Sequence, residues 1–238
     1  MGWTWRSVRG ALVGAVAAAG LLAPVSTVAG QRPASAAGAT IQGVVTTRVK
    51  APSALLRVTF DQNVCGNELP DQSVNVDREG HLANAVVTLV GVKARVPVRE
   101  IRVLNDKCVF VPRVQVAGSK SVMKTSSKDP ILHTTTVQVG DGRQLFNVAL
   151  PVPGMEIAKP LGGAGVLRVG CSTHAWMRAW ILVTDDLAVV TGPDGRFALP
   201  DVPPGTYQLR VWHETLKAAD QTVTVVAGKP IAANFELR

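Results

Sequence analysis

From Ala39 onward the chain is broken about every 8–15 residues by Gly, Pro, Asn or Asp, with short β-branched runs between the breaks. No window sustains an apolar period of ~3.6 residues over three turns, so long helices are excluded as building units. Strands are expected over 41–48, 54–60, 85–92, 99–104, 108–117, 132–139, 165–170 and 179–184. Further strands are expected over 188–191, 196–199, 206–213, 222–226 and 232–237. Alternation within a run, as in Tyr207, Leu209 and Val211, gives it one face for a core. This is the spacing of sandwiches and barrels, and the expected fold class is all-β. A length of 238 residues suits one or two domains, and 47% apolar against 18% charged residues excludes a disordered tail.

Residues 1–36 read as a secretory signal. Arg6 and Arg9 form a positive start, Ala11 to Leu22 is an unbroken small-apolar run, and Pro24 ends it. Ala34-Ser35-Ala36 fits the small-x-small cleavage pattern, with Val28-Ala29-Gly30 as an alternative site. The run is shorter than the ~20 residues of a spanning helix, so no stable membrane span is expected after cleavage. No cysteine follows the run, and Arg6 and Arg9 are not adjacent, which argues against a lipoprotein anchor and a twin-arginine signal. The expected location is periplasmic or secreted. The formal charge of +8 falls to +5 once Arg6, Arg9 and Arg32 leave with the signal, too modest to argue for nucleic acid. In an oxidising compartment two of the three cysteines should pair, and the third needs another explanation.

The candidate domain boundary lies at Asp185-Asp186, dividing 37–184 from 185–238. Beyond it Gly192-Pro193-Asp194-Gly195 is a turn signal followed by an alternating strand, and Asp201-Val202-Pro203-Pro204-Gly205-Thr206-Tyr207 repeats that design. This tail resembles the carboxypeptidase regulatory-like domain, a small transthyretin-like β-sandwich. The resemblance implies a module without catalysis of its own.

Chemistry concentrates in Cys171-Ser172-Thr173-His174-Ala175-Trp176-Met177, where a thiol, an imidazole and a thioether follow one another at intervals of three. His133 stands 38 residues upstream at the start of an expected strand. Two imidazoles and a thiolate with a weak axial thioether form the donor set of a blue-copper centre, and a rigid β scaffold resists rearrangement between oxidation states. At these residues the chain resembles the cupredoxins, and its Cys-x2-His-x2-Met loop is similar to that of amicyanin more than to the longer loop of plastocyanin. The resemblance spans about 95–184 and implies a Greek-key β-sandwich, preceded here by an N-terminal β extension. It implies one type 1 copper held by His133, Cys171, His174 and Met177. It also implies that Ala175 and Trp176 line an apolar electron port at the loop histidine. A Trp packed between the two modules is the other reading of Trp176. Thr134 stands where cupredoxins usually carry an Asn that braces the Cys loop. Thr173 and Ala175 stand where amicyanin has prolines.

Other readings of the loop remain. Cys171 and Met177 can be inert core residues, and zinc also binds Cys and His but gains nothing from Met. A Cys–His hydrolase lacks a group to orient the imidazole. Cys65 and Cys108 remain to pair with one another, a disulfide worth roughly 3–4 kcal/mol. The alternative of Cys108 as an extra metal ligand has no nearby His or Met to support it. His81 sits in a polar turn and is expected to be solvated, and His213-Glu214 is expected to form a surface pair or an inter-module hydrogen bond rather than a second metal site. Gly162-Gly163-Ala164-Gly165 lacks a phosphate-loop Lys, and no Cys-x2-Cys-His occurs, so covalent haem is excluded. The expected function is not enzymatic. A shuttle of single electrons is the first reading, with a partner such as a cytochrome or a quinol- or amine-oxidising enzyme. A copper-binding or copper-delivery protein without redox turnover and a structural β interaction module are the alternatives.

Overall fold

The computed structural model describes residues 38–238, and the signal expected over 1–36 lies outside the described residues. In chain order the strands are β1 (Ala39–Thr47), β2 (Leu55–Arg57), β3 (Glu68–Pro70), β4 (Val86–Lys93), β5 (Glu100–Asp106), β6 (Val109–Val111) and β7 (Val114–Ala117). They continue with β8 (Val122–Ser127), β9 (His133–Val139), β10 (Gln144–Leu150), β11 (Glu156–Pro160), β12 (Gly165–Gly170) and β13 (Arg178–Val183). The last are β14 (Asp186–Val190), β15 (Arg196–Val202), β16 (Gly205–Trp212), β17 (Gln221–Val225), β18 (Ile231–Ala232) and β19 (Phe235–Leu237). A single turn of helix, α1 (Gln62–Cys65), joins β2 to β3. No helix among the described residues is long and apolar enough to cross a membrane.

The fold is all-β, in two sandwiches. In the first, β1 pairs antiparallel with β15 and parallel with β18 and β19, and faces a sheet ordered β14-β4-β16-β17. Its core is apolar: Ile41, Leu82, Leu89, Leu199, Leu209 and Phe235 are all buried there. Period-2 burial in β16, with Leu209 and Val211 inward, follows the alternation written in its sequence. Gly195 carries the tight turn before β15 at φ +67, and a Cβ there would stand 2.5 Å from the Val45 carbonyl oxygen. Glycine is the residue that fits.

The second sandwich joins a sheet ordered β10-β9-β12-β13-β7 to one ordered β11-β8-β5-β6. Ile101, Phe110, Met123, Val137, Leu167 and Ile181 fill it. A hydrogen bond of 2.8 Å between Thr125 and Thr135 hydroxyls crosses its interior.

The two sandwiches interleave along the chain. The sequence places β1 and β4 as an extension of the metal-bearing module, whereas their backbone partners are β14, β15, β16, β18 and β19. Strands β5–β13 thus leave the first sandwich after β4 and return to it at β14. At the joint, Arg113 and Glu214 form a buried two-point ion pair (2.6 and 2.8 Å), and Trp180 meets Trp212 edge-on at 5.7 Å between ring centres. The inter-module contact expected at His213-Glu214 is made by Glu214.

Candidate metal centre

The centre is built where β9 begins and β12 ends. The antiparallel register sets Gly170 opposite Thr136, so the chain leaving β12 enters the Cys171 loop alongside His133 and Thr134. His133 lies on the inward face of β9, in phase with Thr135 and Val137, and its ring is fully buried. The loop closes with a hydrogen bond of 2.9 Å from the Met177 N–H to the His174 carbonyl, which folds Cys171, His174 and Met177 back toward the core.

His133, Cys171 and His174 converge, their donor atoms all within 4.8 Å of one another. His174 Nδ1 is 3.0 Å from His133 Nδ1 and 3.5 Å from Cys171 Sγ. Two donors bonded to one ion at ~2.0–2.3 Å lie at most ~4.5 Å apart, so a single cation can reach both pairs. Met177 is buried in the same cluster as Cys171.

Both imidazoles are braced from outside by carboxylates. His133 Nε2 is 3.0 Å from Asp129 Oδ2, and His174 Nε2 is 3.0 Å from Asp61 Oδ2. Asp129 also accepts the N–H groups of Lys107 and Cys108 at 2.8 and 2.9 Å. Those two residues both have positive φ, as a two-residue hairpin turn between β5 and β6 demands. A carboxylate accepts, so each Nε2 donates and each Nδ1 is turned inward, where the two stand 3.0 Å apart. A shared proton or a metal ion satisfies that arrangement, and an apolar core does not.

Thr134 braces the loop. Its hydroxyl accepts the Ser172 N–H at 2.7 Å, and its N–H and hydroxyl face Cys171 Sγ at 3.3 and 3.5 Å. Burial pushes the Cys171 thiol up, but hydrogen bonds from His133, from the Thr134 N–H and hydroxyl and from the His174 backbone outweigh it and bring its pKa to about 5. Cys171 is the free cysteine among the described residues, and Cys65 and Cys108 form a disulfide. Cys108 therefore has no thiolate to offer a metal.

Ala175 is exposed and Trp176 half-buried. The Trp176 ring lies tilted 5.0 Å from the His174 ring, donates its indole N–H to the Cys108 carbonyl at 3.1 Å, and packs against both the core of the second sandwich and the disulfide cluster. The resemblance has the loop histidine emerging at the surface between these residues. Here the His174 ring has no exposure, because Asp61 covers its outer edge.

Asp129 and Asp61 were not singled out in the sequence. Asp129 carried a faint signal, four residues before His133. Asp61 carried none, being 113 residues from His174. His81 makes a local pair with Asp77 at 2.8 Å in a solvent-facing turn.

Residues 178–238 match the family model of the carboxypeptidase regulatory-like domain. The match begins in β13, and the sandwich it describes is completed by β1 and β4 from much earlier in the chain. No curated protein matches the chain. Among solved structures, it is similar to a purple cupredoxin from Nitrosopumilus maritimus (17% identity, 35% of this chain and 98% of that one, TM-score 0.31). It is also similar to amicyanin from Paracoccus versutus (16%, 41% and 96%, 0.32). A third is a copper-containing nitrite reductase from Thermus scotoductus (21%, 40% and 24%, 0.30).

Proposed function

We propose that this is an exported type 1 copper protein that carries single electrons. The observation that supports it is the inward-facing donor set: two imidazole Nδ1 atoms 3.0 Å apart and a free cysteine sulfur 3.5 Å from one of them, all buried together. Copper bound there would take up and give back one electron, the soft thiolate favouring Cu(I) and the imidazoles serving both states. The protein's own part is to hold those donors still. Asp129 and Asp61 fix the two tautomers, Thr134 restrains the sulfur, and the sheets on either side keep the loop from rearranging. His133, Cys171 and His174 would hold the copper, and Met177, buried in the same cluster as Cys171, would add a thioether. The partner is a redox protein such as a cytochrome or a quinol- or amine-oxidising enzyme, met in the periplasm or outside the cell, and the chain performs no catalysis of its own.

The visible spectrum of the mature protein loaded with Cu(II) tests this. An intense thiolate-to-copper charge-transfer band is expected, and Cys171→Ser abolishes it, because a hydroxyl offers no thiolate. A colourless complex, or a band that survives Cys171→Ser, overturns the reading.

A further inference from the structure

Asp61 stands at the N-cap of α1, where an Asp side chain ordinarily accepts an N–H of the first helical turn. It makes no such bond. Its backbone is held in the left-handed region (φ 55, ψ 34), sparsely populated by residues with a Cβ, and its carboxylate is on His174 Nε2 instead. The Asp61 carbonyl meanwhile accepts the Val64 and Cys65 N–H groups at 2.9 and 2.8 Å, so the turn is closed by backbone alone and the side chain is free for the histidine.

The segment that carries Asp61 is fastened down. The Val58 N–H donates to the Asn67 carbonyl at 2.9 Å, and Gln62 Nε2 to the Val58 carbonyl at 2.8 Å. Val58, Val64 and Leu69 pack with Ile131 and Trp176 around the Cys65–Cys108 bridge. The far end of that bridge is the same β5–β6 turn whose N–H groups anchor Asp129 behind His133. One disulfide thus ties the brace of one imidazole to the brace of the other. Asp61 itself is 37% exposed, whereas the ring beneath it has no exposure.

Resting on the reading of the site as a metal centre, we propose that residues 58–67 are a lid over its His174 edge. Asp61 is a positioning residue: it locks the His174 tautomer and keeps a bound ion from exchanging with solvent. The arrangement suits a carrier that keeps its metal and argues against one that hands it on. Groups that hydrogen-bond to metal-ligating imidazoles typically govern metal affinity by ~10–100-fold, which sets the size of effect to look for.

The test uses the full exported protein loaded with copper sulfate and challenged with excess EDTA. Asp61→Ala is expected to lose Cu(II) ~10-fold faster or more. Asp61→Asn, which keeps an acceptor oxygen, stays closer to the parent. Cys65→Ala/Cys108→Ala frees the lid without altering any group on His174, and it too speeds copper loss while leaving the charge-transfer band in place. In the metal-free parent, nitrogen-15 NMR should find His174 wholly in the Nε2–H tautomer with a slowly exchanging proton, and in Asp61→Ala a mixture exchanging fast. Equal copper loss in the parent, Asp61→Ala and the disulfide variant overturns the lid, as does a mixed tautomer in the metal-free parent. If the parent takes up no copper, the proposed function falls, and the NMR result alone decides the lid.

Discussion

The first sandwich buries Thr47, Thr191 and His213 as its polar residues, while the second buries Asn105, Ser121, Thr125, Ser127, Asp129, His133, Thr135 and His174. Both have period-2 strands and a continuous apolar cluster. The difference lies in what fills the inward positions near one end. In the second sandwich those positions go to hydroxyls, carboxylates and imidazoles whose hydrogen bonds join Thr125 with Thr135, His133 with Asp129 and Thr134 with Cys171. Such a network fixes donor positions but gives up apolar burial. The first sandwich has the opposite character, and it also holds the second through the joint at Arg113 and Glu214. Stability and site geometry are therefore separable to a testable degree.

The largest effect is expected at the joint. Glu214→Gln leaves Arg113 as a buried charge without its partner (side chains 11% and 5% exposed), which typically costs about 3–5 kcal/mol. The charge-transfer band of the copper form should persist, because the joint touches no ligand. Calorimetry should show the melt moving down or dividing into two transitions, one for each sandwich. A single unshifted melt would mean that the two sandwiches are coupled by something other than this pair.

Removing the disulfide by Cys65→Ala/Cys108→Ala should cost roughly 3–4 kcal/mol in the chain-entropy account, read from denaturant midpoints. The loss should fall on the second sandwich, where the bridge lies, and leave the colour of a copper form unchanged. Bleaching of the protein would place Cys108 closer to the metal chemistry than its disulfide allows.

A smaller effect sharpens the role of His213 at the joint. Burial pushes its pKa below the ordinary 6.5, Glu214 pulls it back up and Arg113 pushes it down further. In its neutral form Nδ1 accepts the Thr215 and Leu216 N–H groups, both at 3.3 Å. The unfolded chain therefore takes up the proton first as pH falls. The stability His213 contributes is complete above pH 6.5 and declines as pH drops through 6.5 toward the folded value. Denaturant midpoints between pH 8 and pH 5 should show this decline, and His213→Gln should flatten that part of the profile. An unchanged slope in the variant would assign the decline to other groups.

How much of this was legible in the sequence follows from the same contrast. Where a strand alternates apolar and polar residues against an apolar core, as β16 does, its reading matched the structure within a residue or two. Strand β8 escaped because its inward positions are Met123, Thr125 and Ser127, which read as polar residues in a loop. Strands β10 and β11 escaped because they are edge strands with almost no buried face to write a pattern. The expected strand 108–117 divides into β6 and β7 at Pro112 and Arg113, where Arg113 turns to the joint. The meeting of His133, Cys171 and His174 was legible because Cys171 and His174 stand three residues apart on one loop and His133 opens an expected strand. The braces were not. Nothing local announces that Asp61 will reach His174, since only the fold brings them together.

The smallest expected change, and the one that most sharpens the contrast between core and site, concerns Met177. It is 1% exposed and sits in the apolar cluster with Leu167, Val169 and Ile181, so its burial alone fits a packing residue as well as an axial ligand. The two roles predict different measurements. As a ligand, its soft thioether favours Cu(I), so Met177→Gln, which offers a harder amide oxygen, should lower the reduction potential. Met177→Leu removes the axial donor at similar volume, which costs Cu(II) more than Cu(I) and should raise the potential. Copper should stay bound in both, because His133, Cys171 and His174 would still hold it. As a packing residue, Met177→Leu should cost less than about 1.5 kcal/mol in stability and leave the potential where it was. Voltammetry of the three proteins separates the cases: opposite displacements of the potential make Met177 a ligand, and a potential that moves in neither variant returns it to the core.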